Sequence, residues 1–255
     1  MKKTTKSFKA MAIGLCFAMM LGIMGNHMLV RAEDNYVSEC GHVHGTDEIC
    51  GDIGTYALTS NSSACLIYIA MQEIGYHEKA SNSQLDDPTA NSGSANFTKY
   101  GAWYGLQDQW CHMFVSWCAN RAKINTGVIP KKALTEDGMN FLKNNGRFKY
   151  SKQYGGTYTP KRGDIIYFGV STTDTNHVGI IESVVGNTIH TIEGNASDQV
   201  MRRTYSTSNS TIVGYGTPAY GSSSHNLVAY GSMYKCSNCG MITSGSEISN
   251  IEDNE

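Results

Sequence analysis

Apolar positions along this chain fall into a few short runs separated by long polar stretches. Lys2, Lys3, Lys6 and Lys9 precede an apolar run over residues 11–24, and Val30-Arg31-Ala32 then offers the small residues a signal peptidase reads. The run is shorter than the roughly 20 residues that span a bilayer. Residues 1–32 are therefore expected to be a cleaved export signal, with no stable membrane insertion afterwards. A polar lead, 33–60, follows. Leu66, Ile69, Ala70 and Ile74 then recur at helical spacing and predict a helix over about 62–75 with Gly75 as its stop. Residues 78–100, rich in Asn, Ser and Asp, read as a long loop. Phe114, Val115, Cys118 and Ala122 predict a second helix over about 111–123, and a shorter third covers 136–144.

From Pro160 the period changes. Residues 164–168 read as a buried strand, and 177–185 and 188–193 as two more, joined at Gly186-Asn187, a hairpin signal. Helices first and strands later predict an α+β fold, with helices packed on an antiparallel sheet. Gly221-Ser222-Ser223-Ser224 has linker composition. Four segments result: signal 1–32, lead 33–60, main domain 61–220, and 221–255. The last holds the linker, a Cys-x-x-Cys and an acidic end, 244–255, expected to be disordered.

Composition sharpens this only in part. The 255 residues suffice for one sizeable domain, and 16% charged residues with 27 Gly suit an extracellular, loop-rich protein. Loss of 1–32 removes five basic residues (Lys2, Lys3, Lys6, Lys9, Arg31) and no acidic one. The 20 basic residues thus fall to 15 against 22 acidic ones, and the formal charge moves from −2 to −7. Such a chain has no general attraction to nucleic acid or anionic lipid. Of eight cysteines, Cys16 leaves with the signal. Seven remain, so full disulfide pairing within one chain is impossible.

Cys111 opens the second helix directly after a polar loop. A helix N-terminus favours thiolate through its dipole, and its free N–H groups can hold an oxyanion. A small buried hydrophobe is the ordinary alternative for a cysteine. A thiolate needs a base, and the histidines available are His177, His190, His112 and His77. His112 adjoins Cys111 on a helix, so the two side chains diverge. His77 sits on a surface loop. His177 starts a strand, and Glu193 on the next strand can fix its tautomer. Asn195 follows two residues later. A clean two-residue turn would pair Ile180 with Glu193 and send His177 and Glu193 to opposite faces. The pairing therefore requires an odd-length loop or a bulge near the glycine.

Trp110-Cys111-x-Met-Phe-Val-Ser-Trp-Cys-Ala-Asn, then residues 162–168 (RGDIIYF), 177–182 (HVGIIE) and 191–195 (TIEGN) resemble the CHAP family in content and order. These are cysteine, histidine-dependent amidohydrolases and peptidases, related in fold to papain and the NlpC/P60 enzymes. The resemblance covers about 61–220. It implies a papain-like fold and a Cys-His-Glu triad at Cys111, His177 and Glu193, with Asn195 as a supporting polar group and no cofactor for catalysis. It also implies peptidoglycan as substrate, through an amidase or a stem-peptide or cross-bridge endopeptidase activity, and a secreted, wall-associated location. Gln107, Gln109 or Tyr104 can assist the oxyanion hole. The Asp-rich calcium loop of some relatives is not carried over, because 100–110 contains only Asp108. A non-catalytic wall-binding module on the same fold, and a cysteine peptidase with a non-wall substrate, are the rival readings.

Two Cys/His groups flank the main domain. Cys40, His42, His44 and Cys50 pack four potential ligands into eleven residues, and His225 precedes Cys236 and Cys239. These are metal-ligand spacings and predict a structural zinc site, from either end or from both jointly. Disulfides Cys40–Cys50 and Cys236–Cys239 are the alternative in an exported chain. Cys65 and Cys118, on apolar helix faces, read as buried thiols, or as a disulfide with each other.

Overall fold

In a computed structural model, residues 36–37, 43–44, 62–221, 225–231 and 233–243 are described. The expected signal 1–32 and the acidic end 244–255 lie outside them, as do Cys40, His42, Cys50 and the side chain of His44.

Two short strands, β1 (Tyr36–Val37) and β2 (Val43–His44), pair antiparallel. The first helix, α1 (Ser63–Gln72), starts where Ser62 accepts a hydrogen bond from the Cys65 N–H, one of the donors a helix N-terminus leaves free. The polar stretch 78–100 is mostly loop as expected. It ends, however, in a short helix that the periodicity does not reveal, α2 (Lys99–Tyr104), capped by Thr98. Then come α3 (Cys111–Arg121) and α4 (Thr135–Asn144).

Among the described residues, nine strands follow in the main body and the C-terminal ribbon. They are β3 (Phe148–Tyr150), β4 (Ile165–Ser171), β5 (Asp174–Val185) and β6 (Thr188–Glu193), then β7 (Met201–Ser206) and β8 (Ile212–Gly216). These six form one antiparallel sheet in the order β3-β8-β4-β5-β6-β7. The ribbon consists of β9 (Leu227–Tyr230) and β10 (Met233–Cys236), with β11 (Ile242–Thr243) on the other side of β10. The fold is α+β, with helices against an antiparallel sheet.

The main core joins helix residues Leu66, Phe114, Trp117 and Met139 to sheet residues Ile165, Tyr167, Val178, Ile180, Ile192 and Val213. A second cluster, Ile166, Phe168, Ile181, Ile189, Ile212 and Tyr215, consists of the alternate sheet positions. Period-two alternation thus buries both sets of side chains of the central strands. Tyr100 brings α2 into the core. Its ring stacks on Trp110 at 5.2 Å, an arrangement that adds about 0.5–1.5 kcal/mol to plain burial.

One irregularity in the sheet sets up the site. The turn at Gly186-Asn187 has two residues, with Val185 opposite Thr188. The register then slips: Ile181 faces Thr191 while Ser183 faces His190, so Glu182 is an extra residue, a β-bulge. Beyond it Ile180 pairs with Ile192 rather than with Glu193. Glu193 therefore falls opposite Gly179 and shares a face with His177. The bulge is the device the alternation demanded, placed four residues ahead of the glycine. Arg202 on β7 holds Glu182 from across β6 through two hydrogen bonds, 2.8 Å from Nε and 2.7 Å from Nη2.

Candidate active site

Cys111 is the first residue of α3 and is buried. Its N-cap, Trp110, makes no side-chain cap, so the first-turn N–H groups keep their direction beside the sulfur. Trp110 is fixed instead through its indole, whose Nε1 donates to Glu78 Oε1 at 2.9 Å. The other Glu78 oxygen accepts from the Asn96 N–H at 2.8 Å. One buried carboxylate thus ties the long polar loop to the base of α3.

His177 Nε2 lies 2.8 Å from Glu193 Oε2, and the ring also hydrogen-bonds to Cys111. Since Nε2 faces the carboxylate, Nδ1 is the nitrogen left for sulfur. Burial alone would pull the imidazole below its usual value. Hydrogen bonds to Cys111 and Glu193, with their charges, outweigh it and raise the group from 6.5 to about 9. The imidazolium is therefore the main form at neutral pH. A raised folded-state value stabilises the fold when the group is protonated. That contribution is complete below about pH 6.5 and is lost as pH rises through about 9.

Glu193 is almost wholly buried, at 1% exposure, and a buried carboxylate requires donors. Besides His177 it has two. Thr191 Oγ1 donates to Oε1 at 2.5 Å, and the Tyr205 hydroxyl to Oε2 at 3.2 Å. Burial, with Glu193 adding to it, pushes the Tyr205 phenol well above its usual range, which keeps that donor protonated. Neither residue stands out in the sequence; the alternation that puts Thr191 beside Glu193 is the one available signal.

Two glycines permit the close approaches. A Cβ on Gly179 would lie 2.7 Å from Glu193 Cγ, and one on Gly194 would lie 2.4 Å from Phe114 Cβ on α3. The first lets the carboxylate lie flat over β5 toward His177. The second lets the end of β6 press against α3 one turn from Cys111. Gly179→Ala is expected to fold at a cost of about 1–3 kcal/mol, as overpacked sites do. It should lower turnover on the order of 10–100-fold by displacing Glu193. Thermal melting beside steady-state kinetics checks this; wild-type turnover in a destabilised variant would detach Gly179 from the site.

The remaining histidines stand apart. His112 is buried, with Nδ1 3.1 Å from Lys132 O and Nε2 3.3 Å from Tyr167 Oη; burial pushes it down to about 4, so it is neutral. His77 Nδ1 contacts Glu78 O, and His190 Nδ1 contacts Thr204 Oγ1. Asn195 requires a revision of its expected place. Strand β6 ends at Glu193, and Asn195 turns with a φ of 56°, so it does not continue the strand face. Its amide donates to Gln109 Oε1 instead of reaching the imidazole. Asn195 thereby positions Gln109, two residues before Cys111. Gln107, by contrast, donates its amide to Ala95 O.

A second cluster lies at the start of α1. Cys65, His225, Cys236 and Cys239 bring one ligand atom each within 4.8 Å of one another and can hold a metal ion. Cys236 and Cys239 were expected there with His225. Cys65 was not, because its helix neighbours are apolar and nothing local marks it as a ligand. All three cysteines are free thiols, as is Cys118, so neither Cys236–Cys239 nor Cys65–Cys118 forms a disulfide.

Residues 103–195 match the family model of the CHAP domain. Two solved structures of Ly7917 are similar at a TM-score of 0.38. One is 15% identical, with 62% of this chain and 62% of that one covered. The other, with the hydrolyzing product of MDP, is 16% identical, with 62% and 63% covered. The chain therefore spans about 62% of the length of those structures. No curated protein matches it. The matched segment, similar to a CHAP domain, runs from Trp103 through Cys111, His177 and Glu193 to Asn195.

Proposed function

We propose that this protein is a peptidoglycan hydrolase that cleaves an amide bond, as an N-acetylmuramoyl-L-alanine amidase or a stem-peptide or cross-bridge endopeptidase. The observation that carries this reading is His177 held between Cys111 and a buried Glu193, 2.8 Å from the ring. A sulfur beside an imidazolium at a helix N-terminus is built for attack on a carbonyl carbon.

In the first half-reaction Cys111 Sγ bonds to the amide carbon, and the carbonyl oxygen takes the negative charge. First-turn N–H groups of α3, with the Gln109 side chain, face that oxyanion. His177 gives its proton to the leaving nitrogen as the C–N bond breaks, leaving a thioester on Cys111. In the second half-reaction His177, now neutral, takes a proton from water. The hydroxide attacks the thioester, and the proton returns as sulfur departs. Glu193 keeps the ring in one tautomer and orientation and balances its positive charge. Thr191 and Tyr205 hold Glu193.

The test is digestion of purified Gram-positive peptidoglycan under reducing conditions, with products identified by mass spectrometry. Released stem peptides identify an amidase, and split cross-links an endopeptidase. Intact walls of several chemotypes, with Cys111 verified as a free thiol, would transfer the proposal to a wall-binding module. The protein is further proposed to act outside the cell after losing residues 1–32. N-terminal sequencing of material from the culture medium is expected to start at Glu33. Recovery of the full chain with cells alone would reject export.

A further inference from the structure

We propose that Cys65, His225, Cys236 and Cys239 bind one zinc ion, which fastens the C-terminal ribbon β9-β10-β11 to helix α1 of the domain that carries the active site. Zinc prefers four ligands at tetrahedral corners, with bonds of about 2.3 Å to sulfur and about 2.0 Å to imidazole nitrogen. Those lengths give tetrahedron edges of roughly 3.8 Å between two sulfurs and roughly 3.5 Å between sulfur and nitrogen. Cys65 Sγ lies 3.6 Å from Cys236 Sγ and 3.3 Å from His225 Nδ1, and Cys239 Sγ lies 3.3 Å from that same nitrogen. The four atoms thus already sit near the corners of a zinc site. A disulfide needs about 2.05 Å between sulfurs.

Three soft sulfurs and one imidazole select zinc over the oxygen-seeking magnesium and calcium. The sulfurs are fully shielded, with Cys65, Cys236 and Cys239 at 0% exposure, as in a closed structural site. The surrounding backbone supports them. Ser62 accepts from the Cys65 N–H, Cys236 N–H donates to Met241 O at 2.7 Å, and Gly240 N–H donates to Cys236 O at 2.9 Å. The last two bonds close the Cys-x-x-Cys turn on itself. Tyr68, one helical turn along α1 from Cys65, meets the His225 ring edge-on at 5.9 Å.

The ribbon has little else to hold it. Strand β9 exposes Val228, Ala229 and Tyr230, and Met233 and Tyr234 of β10 are also open. Leu227, Cys236, Cys239 and Met241 are its contribution to the main core. A three-stranded piece of this size does not bury enough apolar surface to be stable alone, and metal binding supplies folding free energy to such modules. Cys65 is the third residue of α1, so the ion cross-links positions 171 residues apart. The four ligands complete the coordination shell, so the site needs neither Cys40, His42, His44 nor Cys50.

The test uses the full chain purified from zinc-supplemented medium without chelators. X-ray absorption at the zinc edge is expected to show three sulfurs and one nitrogen. Metal analysis should give an ion that is lost in Cys65→Ser and His225→Ala and kept in Cys118→Ser and in the double variant Cys40→Ser, Cys50→Ser. Chelation of the wild-type chain, which does not depend on a variant folding, should expose residues 225–231 to protease while 62–220 stays intact. Zinc retained by Cys65→Ser but lost from the Cys40/Cys50 variant would overturn the assignment. So would a metal-free protein with Cys65, Cys236 and Cys239 all open to alkylation, or proteolysis indifferent to chelation.

Discussion

Cys111→Ala is expected to bring wall digestion down to background, a loss on the order of 10⁴-fold or more, as when the nucleophile of a catalytic unit is removed. The residues near it offer no substitute. Cys118 is fully buried, and burial holds its thiol well above the usual range. Cys65 lies in the separate cluster with His225, Cys236 and Cys239. Little structural disturbance should accompany the change, since alanine fills most of the cysteine volume and α3 starts from Trp110, held by Glu78. Circular dichroism and thermal melting should thus match wild type while product release stops. In parallel, a thiol alkylator should modify Cys111 of the native protein before Cys118. More than a tenth of the activity surviving in Cys111→Ala would end the case for a sulfur nucleophile.

Glu193→Gln is the second large effect. The substitution keeps the volume but removes the charge that, together with Cys111, holds His177 up at about 9. Turnover is expected to fall on the order of 10²–10⁴-fold, the range seen when the orienting carboxylate of a triad becomes an amide. The pH profile carries the sharper signature. With Glu193 in place, activity should decline on the alkaline side as His177 loses its proton near pH 9. In Glu193→Gln that limb should move toward lower pH, because the imidazolium has lost a partner. A purely structural role for Glu193 would lower the amount of folded enzyme and leave the limb where it was. An unmoved limb would therefore remove Glu193 from the site while leaving Cys111 untouched.

Much of this arrangement is readable in the chain. The start of α3 at Cys111 and the strands bearing His177 and Glu193 follow from apolar periodicity, and β6 agrees to the residue. The need for an odd-length loop or a bulge also follows, because two-residue alternation across an unbroken ladder puts the two side chains on opposite faces. The location of the bulge does not. Residues 180–185 (IIESVV) contain no glycine or proline to mark Glu182, and the anchoring Arg202 comes from a different strand. That strand, β7, escaped notice because it is a polar edge whose side chains mostly face solvent. Helix α2 escaped because six residues after a polar loop show no period. Cys65 is the buried free thiol its apolar neighbours predict, but its place in the cluster is not legible locally, because its partners come from the other end of the chain. Tertiary assembly, not propensity, brings it beside His225, Cys236 and Cys239.

The bulge at Glu182 makes the His177–Glu193 pair depend on a count as well as on chemistry. The facing of a strand residue has two values, and each residue added to or removed from one strand alone switches it. Loss of one residue from β5 between His177 and the turn would restore an unbroken ladder and send Glu193 across the sheet, with every side chain of the pair still encoded. Length variation in this hairpin is therefore confined to changes that preserve parity: matched additions to both strands, or growth of the turn with the bulge left in place. A single-codon deletion in this hairpin can thus be as damaging as loss of the glutamate itself.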